Sequence, residues 1–479
     1  MQKLKHTLIY MPALLLLLAA CARDKGNYDY VELPDPQISN LDTLYNAITG
    51  DSLIITPKIT LASGKNDYSC YWKIDVAAEA RSQDYEGREL RIVFGLPAAR
   101  YPTQLAVTDN TTGMKYFYKF DIVAQTEFTK GLLVLSNNNN QAVLSFVKPD
   151  GTVRPDIYPS INQEALPGPA KQLVPIQNMF YLNTLTAYWI TYDGDQNGGV
   201  QIDASSLKKN KYIPENFFDA PSTTHADYLL NMVNGTTNAI IDGKLYIGAT
   251  ETAPFWPYYG FWGVPINGNY SLHPQLMENF AETALSGRGN SYFLGYDKNR
   301  KAFVRFFVNT FYDVNYTVLG DAFDPKQVKM DMMYMNRFND NELYAIGDSL
   351  GKKLELKFRV DFTDSTQRFY PTYKRPFPGA SLLTAGTKWQ SSPIGVFFFS
   401  ANDVIYRYNP LNNDIKPLQT TTAGKKITLL KVLQGGNLLV AGAEGGSIYY
   451  LDISTGKLGQ LIKKIDGIPG SPQDIILRD

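Results

Sequence analysis

From residue 132 to the end, the chain keeps returning to one pattern: an apolar run, a polar turn, then a second run rich in β-branched and aromatic residues. Seven segments carry it. They are "LLVLSNNNNQAVLSFVKPDG" from Leu132, "AYWITYDGDQNGGVQID" from Ala187, "KLYIGATETAPFWPYYGFWGVPI" from Lys244 and "SYFLGYDKNRKAFVRFF" from Ser291. Then follow "ELYAIGDSLGKKLELKFRV" from Glu342, "VFFFSANDVIYRYNP" from Val396 and "LLVAGAEGGSIYYLDISTG" from Leu438. Successive starts lie 42 to 57 residues apart, with a mean of 51. A period of this length holds about four short strands, and a small sheet of that kind cannot cover its own apolar faces, so each unit must stack on its neighbours. Residues 125–479 are therefore expected to form a β-propeller-like domain of seven blades, with a ring of six or eight, or a less regular β body, as the alternatives. No long stretch has helical periodicity, which makes the fold class all-β.

Residues 38–124 read differently. "DSLIITPKITL", "YSCYWKIDV", "RELRIVFGL" and "YPTQLAVTDNTTGMKYFYKFDIV" alternate apolar and polar residues and are broken every 8–12 residues by Gly, Pro, Asn or Asp. This is the pattern of an antiparallel sandwich, about one immunoglobulin-like domain in length. Asn110-Thr111-Thr112-Gly113 is expected to turn a hairpin, Trp72 to fill the core mid-strand, and Cys70 to act as a small buried hydrophobe. "SNNNNQ", residues 136–141, is a polar turn.

The N-terminus has the layout of a cleaved leader. Lys3 and Lys5 precede an apolar run over residues 7–20, too short to span a bilayer comfortably. Leu18-Ala19-Ala20-Cys21 resembles the lipobox of bacterial lipoproteins. That resemblance implies removal of residues 1–20 as a signal peptide and acylation of Cys21 by chains of the palmitate kind, which together anchor a protein stably. Residues 21–37 form a tether without apolar periodicity. Ala22 does not match the aspartate signal for inner-membrane retention, which directs the expectation to the outer membrane; the side it faces stays open.

Taken together, the lipobox, "DKGNYDY" behind the cysteine, the sandwich with "YWKID" and the β-repeat body resemble the PKD-like lipoproteins of Gram-negative bacteria. The resemblance implies a neighbourhood rather than a chemistry: such proteins are often encoded beside outer-membrane nutrient-uptake pairs, a TonB-dependent channel with its lipoprotein lid. It brings no catalytic residues.

Composition excludes more than it assigns. Lys+Arg and Asp+Glu both number 46, and the mature chain keeps 44 basic residues against 46 acidic ones, so no charge excess favours nucleic acid. With Cys21 acylated, Cys70 has no disulfide partner. His225 ("STTHADY") and His273 ("SLHPQL") sit in loop-like contexts, and the sequence has no H-E-x-x-H pair.

Two stretches stand out. In "DGDQNGGVQIDA", Asp193, Asp195 and Asn197 occupy positions 1, 3 and 5 of a calcium-type loop with Gly198 at position 6. Ala204 replaces the usual Glu at position 12, although Asp203 stands beside it; a hydrated hairpin is the competing reading. In "FWPYYGFWG", residues 255–263, Trp256, Tyr258, Tyr259 and Trp262 are the candidate ligand-binding aromatics, set against burial between sheets. The expectation is a binding lipoprotein for a glycan, peptide or partner protein. The alternatives are a carbohydrate-active hydrolase or lyase with acids converging in the propeller channel, and a structural envelope protein.

Overall fold

Alternation assigns the faces of the first strands. The computed structural model describes residues 35–77, 80–180, 183–250, 258–279, 292–307, 310–311, 314–363 and 366–478; Cys21, Trp256 and the leader lie outside them. The chain divides into two compact units, one ending at Gly95 and resuming over Arg100–Val123, the other comprising Leu96–Ala99 and Ala124–Asp479. In the first unit a five-stranded sheet runs in the order Leu44–Ile48, Lys115–Gln125, Arg100–Asp109, Tyr68–Val76, Arg81–Glu86. Two strand pairs complete the sandwich: Gln37–Ser39 with Lys58–Thr60, and Ser52–Ile55 with Leu90–Val93.

Along Tyr68–Val76 every second residue is buried, so Cys70, Trp72, Ile74 and Val76 all enter the core. Trp72 packs edge-on against Phe120 at 6.2 Å and donates its indole N–H to the Gly87 carbonyl at 2.8 Å. Burial pushes the Cys70 thiol up to about 11, leaving it inert. The hairpin expected at 110–113 is present: Asp109 Oδ1 accepts the Thr111 N–H at 2.8 Å, and Gly113 supplies the positive φ of 74° that closes the turn.

The second unit is a β-propeller of successive small sheets. The first contains Gly131–Asn138, Gln141–Val147 and Val153–Arg154; the second Ala170–Asn178, Thr184–Tyr192, Gly199–Asp203 and Lys209–Tyr212. The third contains Ala226–Asn231, Thr237–Ile241 and Lys244–Tyr246; the fourth Met277–Glu278, Phe293–Asp297, Ala302–Phe307 and Thr310–Phe311. Asp331–Asn339, Glu342–Ser349, Lys352–Phe362 and Gln367–Pro376 make the fifth, to which Thr317–Val318 adds a parallel edge. The sixth is Trp389–Ser392, Val396–Ala401, Val404–Asn409 and Asp414–Pro417; the seventh is Ile427–Leu433, Leu438–Ala443, Ser447–Asp452 and Gln460–Ile465. The C-terminal strand Ser471–Arg478 then pairs with Gly131–Asn138 and becomes the fourth strand of the first sheet.

The apolar runs are continuous rather than alternating because both faces of each sheet are covered. Leu133 and Leu135 pack with Tyr188 and Ile190 of the second sheet, whereas Leu132 and Val134 pack with Val440 and Ile448 of the seventh. Separate apolar clusters join second to third, third to fourth, fourth to fifth, fifth to sixth and sixth to seventh sheets in the same way. The innermost strands have one unpaired edge each, and side chains cap it. Asp474 Oδ2 accepts the Leu173 N–H at 2.9 Å, Gln172 Oε1 the Leu229 N–H at 2.9 Å and Asn231 Oδ1 the Gln177 N–H at 3.0 Å.

One charge is sealed between the fifth and sixth sheets. Glu355 is fully buried, 3.2 Å from Arg375, with the Tyr373 and Tyr408 hydroxyls donating to its two oxygens at 2.7 and 2.5 Å. A buried carboxylate that loses its cation costs several kcal/mol, whereas replacing the whole pair by neutral groups is close to neutral. Arg375→Met should therefore lower the unfolding free energy by about 3–5 kcal/mol, and adding Glu355→Gln should recover most of it. Chemical denaturation measures both, and a loss below about 1 kcal/mol for Arg375→Met would refute the assignment.

Candidate binding cleft between the second and third sheets

Strand register places four side chains in one row across the second sheet. Val174 stands opposite Trp189, Trp189 opposite Gln201, and Gln201 opposite Lys211. The next pairing is Ile202 with Lys209, so Asn210 is an extra residue: a β-bulge. The bulge separates two lysines that a regular strand would aim alike. Lys209 reaches Glu164 at 3.1 Å and the Tyr212 hydroxyl at 2.9 Å. Lys211 instead joins Gln201 and Asn210 in the wall of a cleft of about 290 Å³ facing the third sheet.

The opposite wall comes from the aromatic stretch. Backbone bonds hold it on both sides: Trp262 N–H to the Asn216 carbonyl at 2.8 Å, Phe218 N–H to Trp262 at 3.0 Å, and Gly260 N–H to Ala249 at 2.8 Å. Gly260 has φ of 81°, and this left-handed turn splits the aromatics between inside and outside. Trp262 goes inside. It is fully buried, stacks on Trp189 at 5.8 Å and donates its indole N–H to the Thr237 carbonyl at 2.7 Å. The expectation that Trp262 contacts ligand is therefore corrected: it is a core residue joining two sheets. Tyr259 lines the cleft and donates its hydroxyl to the Asn234 carbonyl at 2.8 Å. Tyr258, 56% exposed, forms an outer group with Phe218, 59% exposed, and Phe261, their ring centroids 5.4–6.1 Å apart. Trp256 lies outside the described residues.

Amides and hydroxyls share the polar lining. Asn210 donates to Gln201 Oε1 at 3.3 Å and Asn216 to the Gly260 carbonyl at 3.1 Å, while the buried Thr237 hydroxyl has no hydrogen-bond partner among the described residues. Lys211 is the charge in this wall, its ammonium 4.2 Å from the Phe261 ring centroid. Burial pushes Lys211 down to about 8, with Glu215 pulling weakly the other way. Phe218, Lys211, Asn210 and Gln201 were missed by sequence reasoning, since the cleft depends on a bulge and on a long-range sheet contact.

The candidate calcium set comes apart. Asp195 caps its own turn, accepting the N–H groups of Asn197 at 2.8 Å and Gly198 at 3.3 Å, and Asn197 donates its amide back to Asp195 at 3.0 Å. Asp193 lies 2.7 Å from Lys171 and 3.2 Å from His225. Asp203 ends the strand Gly199–Asp203, roughly 13 Å further along, where it accepts from Ser205 and Ser206. Residues read as one loop are a turn plus a strand, and no cage of three His, Cys, Asp or Glu side chains forms among the described residues. Of the histidines, His273 is pushed down to about 4 by burial, with Lys298 adding to the shift.

Lys211 makes stability depend on pH. Its folded value of about 8 is below its ordinary 10.5, so the unfolded chain binds the extra proton through that window and stability rises as pH climbs through it. Below about 8 the ammonium is a standing cost to the fold. Lys211→Met is expected to melt higher than the parent at pH 6.5, with the gap closing by pH 10.5; a variant that melts lower at pH 6.5 would contradict this placement.

Comparison with known proteins gives distant structural similarities and one partial family match, and assigns no activity. The chain is similar to a quinonprotein alcohol dehydrogenase-like protein from Bacteroides thetaiotaomicron VPI-5482, at 14% identity, over 93% of this chain and 99% of that one, with a TM-score of 0.44. It is also similar to the dihydro-heme d1 dehydrogenase NirN in complex with DHE, at 12% identity over 78% and 73% of the two chains, TM-score 0.40. A third is the β-propeller domain of Myceliophteria thermophila Cps50 (Swd1), at 10% identity over 62% and 87%, TM-score 0.39. No curated protein matches the chain. Residues 21–169, spanning the sandwich and ending just before the second sheet of the propeller, match the PKD-like family.

Proposed function

We propose that this protein is a glycan-binding lipoprotein, anchored in the outer membrane through Cys21 and serving a TonB-dependent nutrient-uptake system. The observation that carries the binding reading is the aromatic group of exposed Phe218 and Tyr258 with half-buried Phe261, next to the polar cleft that Lys211, Tyr259 and Gly260 line. Exposed aromatics clustered at a polar concavity mark a recognition surface. Sugar rings suit this chemistry, because their C–H faces stack on aromatic rings while their hydroxyls exchange hydrogen bonds with Asn and Gln amides. The framework around the cleft is rigid, with Trp262 and Trp189 locked in the core, so little ordering cost falls on binding.

Two measurements test this reading. The full chain, purified in detergent, is titrated with a panel of polysaccharides and oligosaccharides alongside Tyr258→Ala and Phe218→Ala. Binding that weakens about 5- to 30-fold in each variant, the size of one aromatic hot-spot contact, supports it. Wild-type affinity in both variants would remove the cleft as the site, and capture of an outer-membrane channel with no saccharide bound would replace the glycan reading. Separately, Cys21→Ala should leave the membrane fraction; its persistence there would refute the lipid anchor.

A further inference from the structure

Resting on the cleft as the ligand site, we propose that the ligand is an acidic saccharide whose carboxylate or sulfate is bound by Lys211. The bulge at Asn210 turns Lys211 away from Glu164, the carboxylate that satisfies Lys209 on the same strand. The nearest acidic residue along the chain is already committed, since Glu215 Oε2 accepts the Tyr212 backbone N–H at 2.6 Å and caps the turn that follows. Among the described residues, no hydrogen bond or ion pair ends at the Lys211 ammonium; its neighbours are the neutral amides of Gln201 and Asn210 and the face of Phe261.

Lys388, also lowered by burial, likewise shows no ion pair among the described residues, whereas three other lysines of this unit are paired. Lys171 meets Asp193 at 2.7 Å, Lys431 meets Asp474 at 2.7 Å, and Lys209 meets Glu164 at 3.1 Å. A half-buried ammonium with no ion pair, acted on only through space by Glu215, is costly to retain, and an anionic group in the cleft would offset that cost while the aromatic group and amides hold the sugar. A neutral sugar could use the rings and amides but would leave the charge uncompensated. The ammonium and the Phe261 ring stand 4.2 Å apart, so an acid attached directly to a sugar can meet the charge and the neighbouring rings together, which favours it over a free inorganic anion.

The test uses the full chain in detergent with two matched pairs of probes. One pair is a galacturonate hexasaccharide and its carboxyl-reduced counterpart; the other is a heparin hexasaccharide and its desulfated counterpart. The expected result is at least 10-fold tighter binding of one acidic probe than of its neutral partner. Lys211→Met should abolish that advantage without lowering the melting temperature, and Lys211→Arg should retain most of it. Equal binding of acidic and neutral partners, or an acidic preference that survives in Lys211→Met, overturns the proposal and leaves the cleft as a neutral-glycan site. No binding by any of the four probes overturns the acidic ligand together with the glycan reading. Binding of sulfate or acetate alone, as strongly as of the acidic probes, shows an anion site without sugar recognition and also overturns it.

Discussion

The pairing of Ser471–Arg478 with Gly131–Asn138 is the interaction on which the propeller depends. Each sheet has two apolar faces, and stacking in a row would always leave the first and last exposed. By donating its final strand to the first sheet, the chain covers both. Leu132 and Val134 then meet Val440 and Ile448 of the seventh sheet, and Ile475 enters the same cluster. The bond that closes the ring also has the longest loop in the unit, more than 330 residues from Gly131 to Arg478. Its formation is entropically expensive, so it is favoured only once the intervening sheets are stacked.

Rigidity acquired this way supports irregularity at one position. Between the second and third sheets the row Val174, Trp189, Gln201, Lys211 departs from apolar toward the outer edge, and Trp262 fills the inner part of the gap by stacking on Trp189. What remains outside this aromatic plug is a cleft with a buried hydroxyl, several amides and a desolvated ammonium. These features cost stability where they stand, and natural folds keep such costs mainly where binding offsets them. Glu355 is the instructive opposite: equally charged and more deeply buried, it is fully paired with Arg375 and two tyrosines, and so needs no ligand.

Much of the fold was legible because it rests on local periodicity. The apolar runs at Leu132, Val396 and Leu438 are strands covered on both faces; alternation in "YSCYWKIDV" put Trp72 and Cys70 inside; and Asn110–Gly113 turned where expected. The site was only partly legible. Tyr259 lines the cleft and Tyr258 lies in the outer aromatic group, but Trp262, in the same quoted stretch, is core, because Gly260 reverses the chain between them. The calcium pattern failed for a related reason. Spacing alone cannot tell a 12-residue loop from a tight turn followed by a strand, and Asp195 and Asp203 are spent on capping separate turns.

The sequence by itself determined the β class, the change from sandwich to repeat and the strand periods, since these follow from which residues can alternate, stack or turn within a few positions. Only the tertiary structure decided which partners meet. The two lysines of Lys209-Asn210-Lys211 look equivalent in sequence, yet a single extra residue against Gln201 and Ile202 gives one a carboxylate and the other an open cleft. That difference is created by register between strands and by packing of one sheet on the next, and neither is written in local pattern.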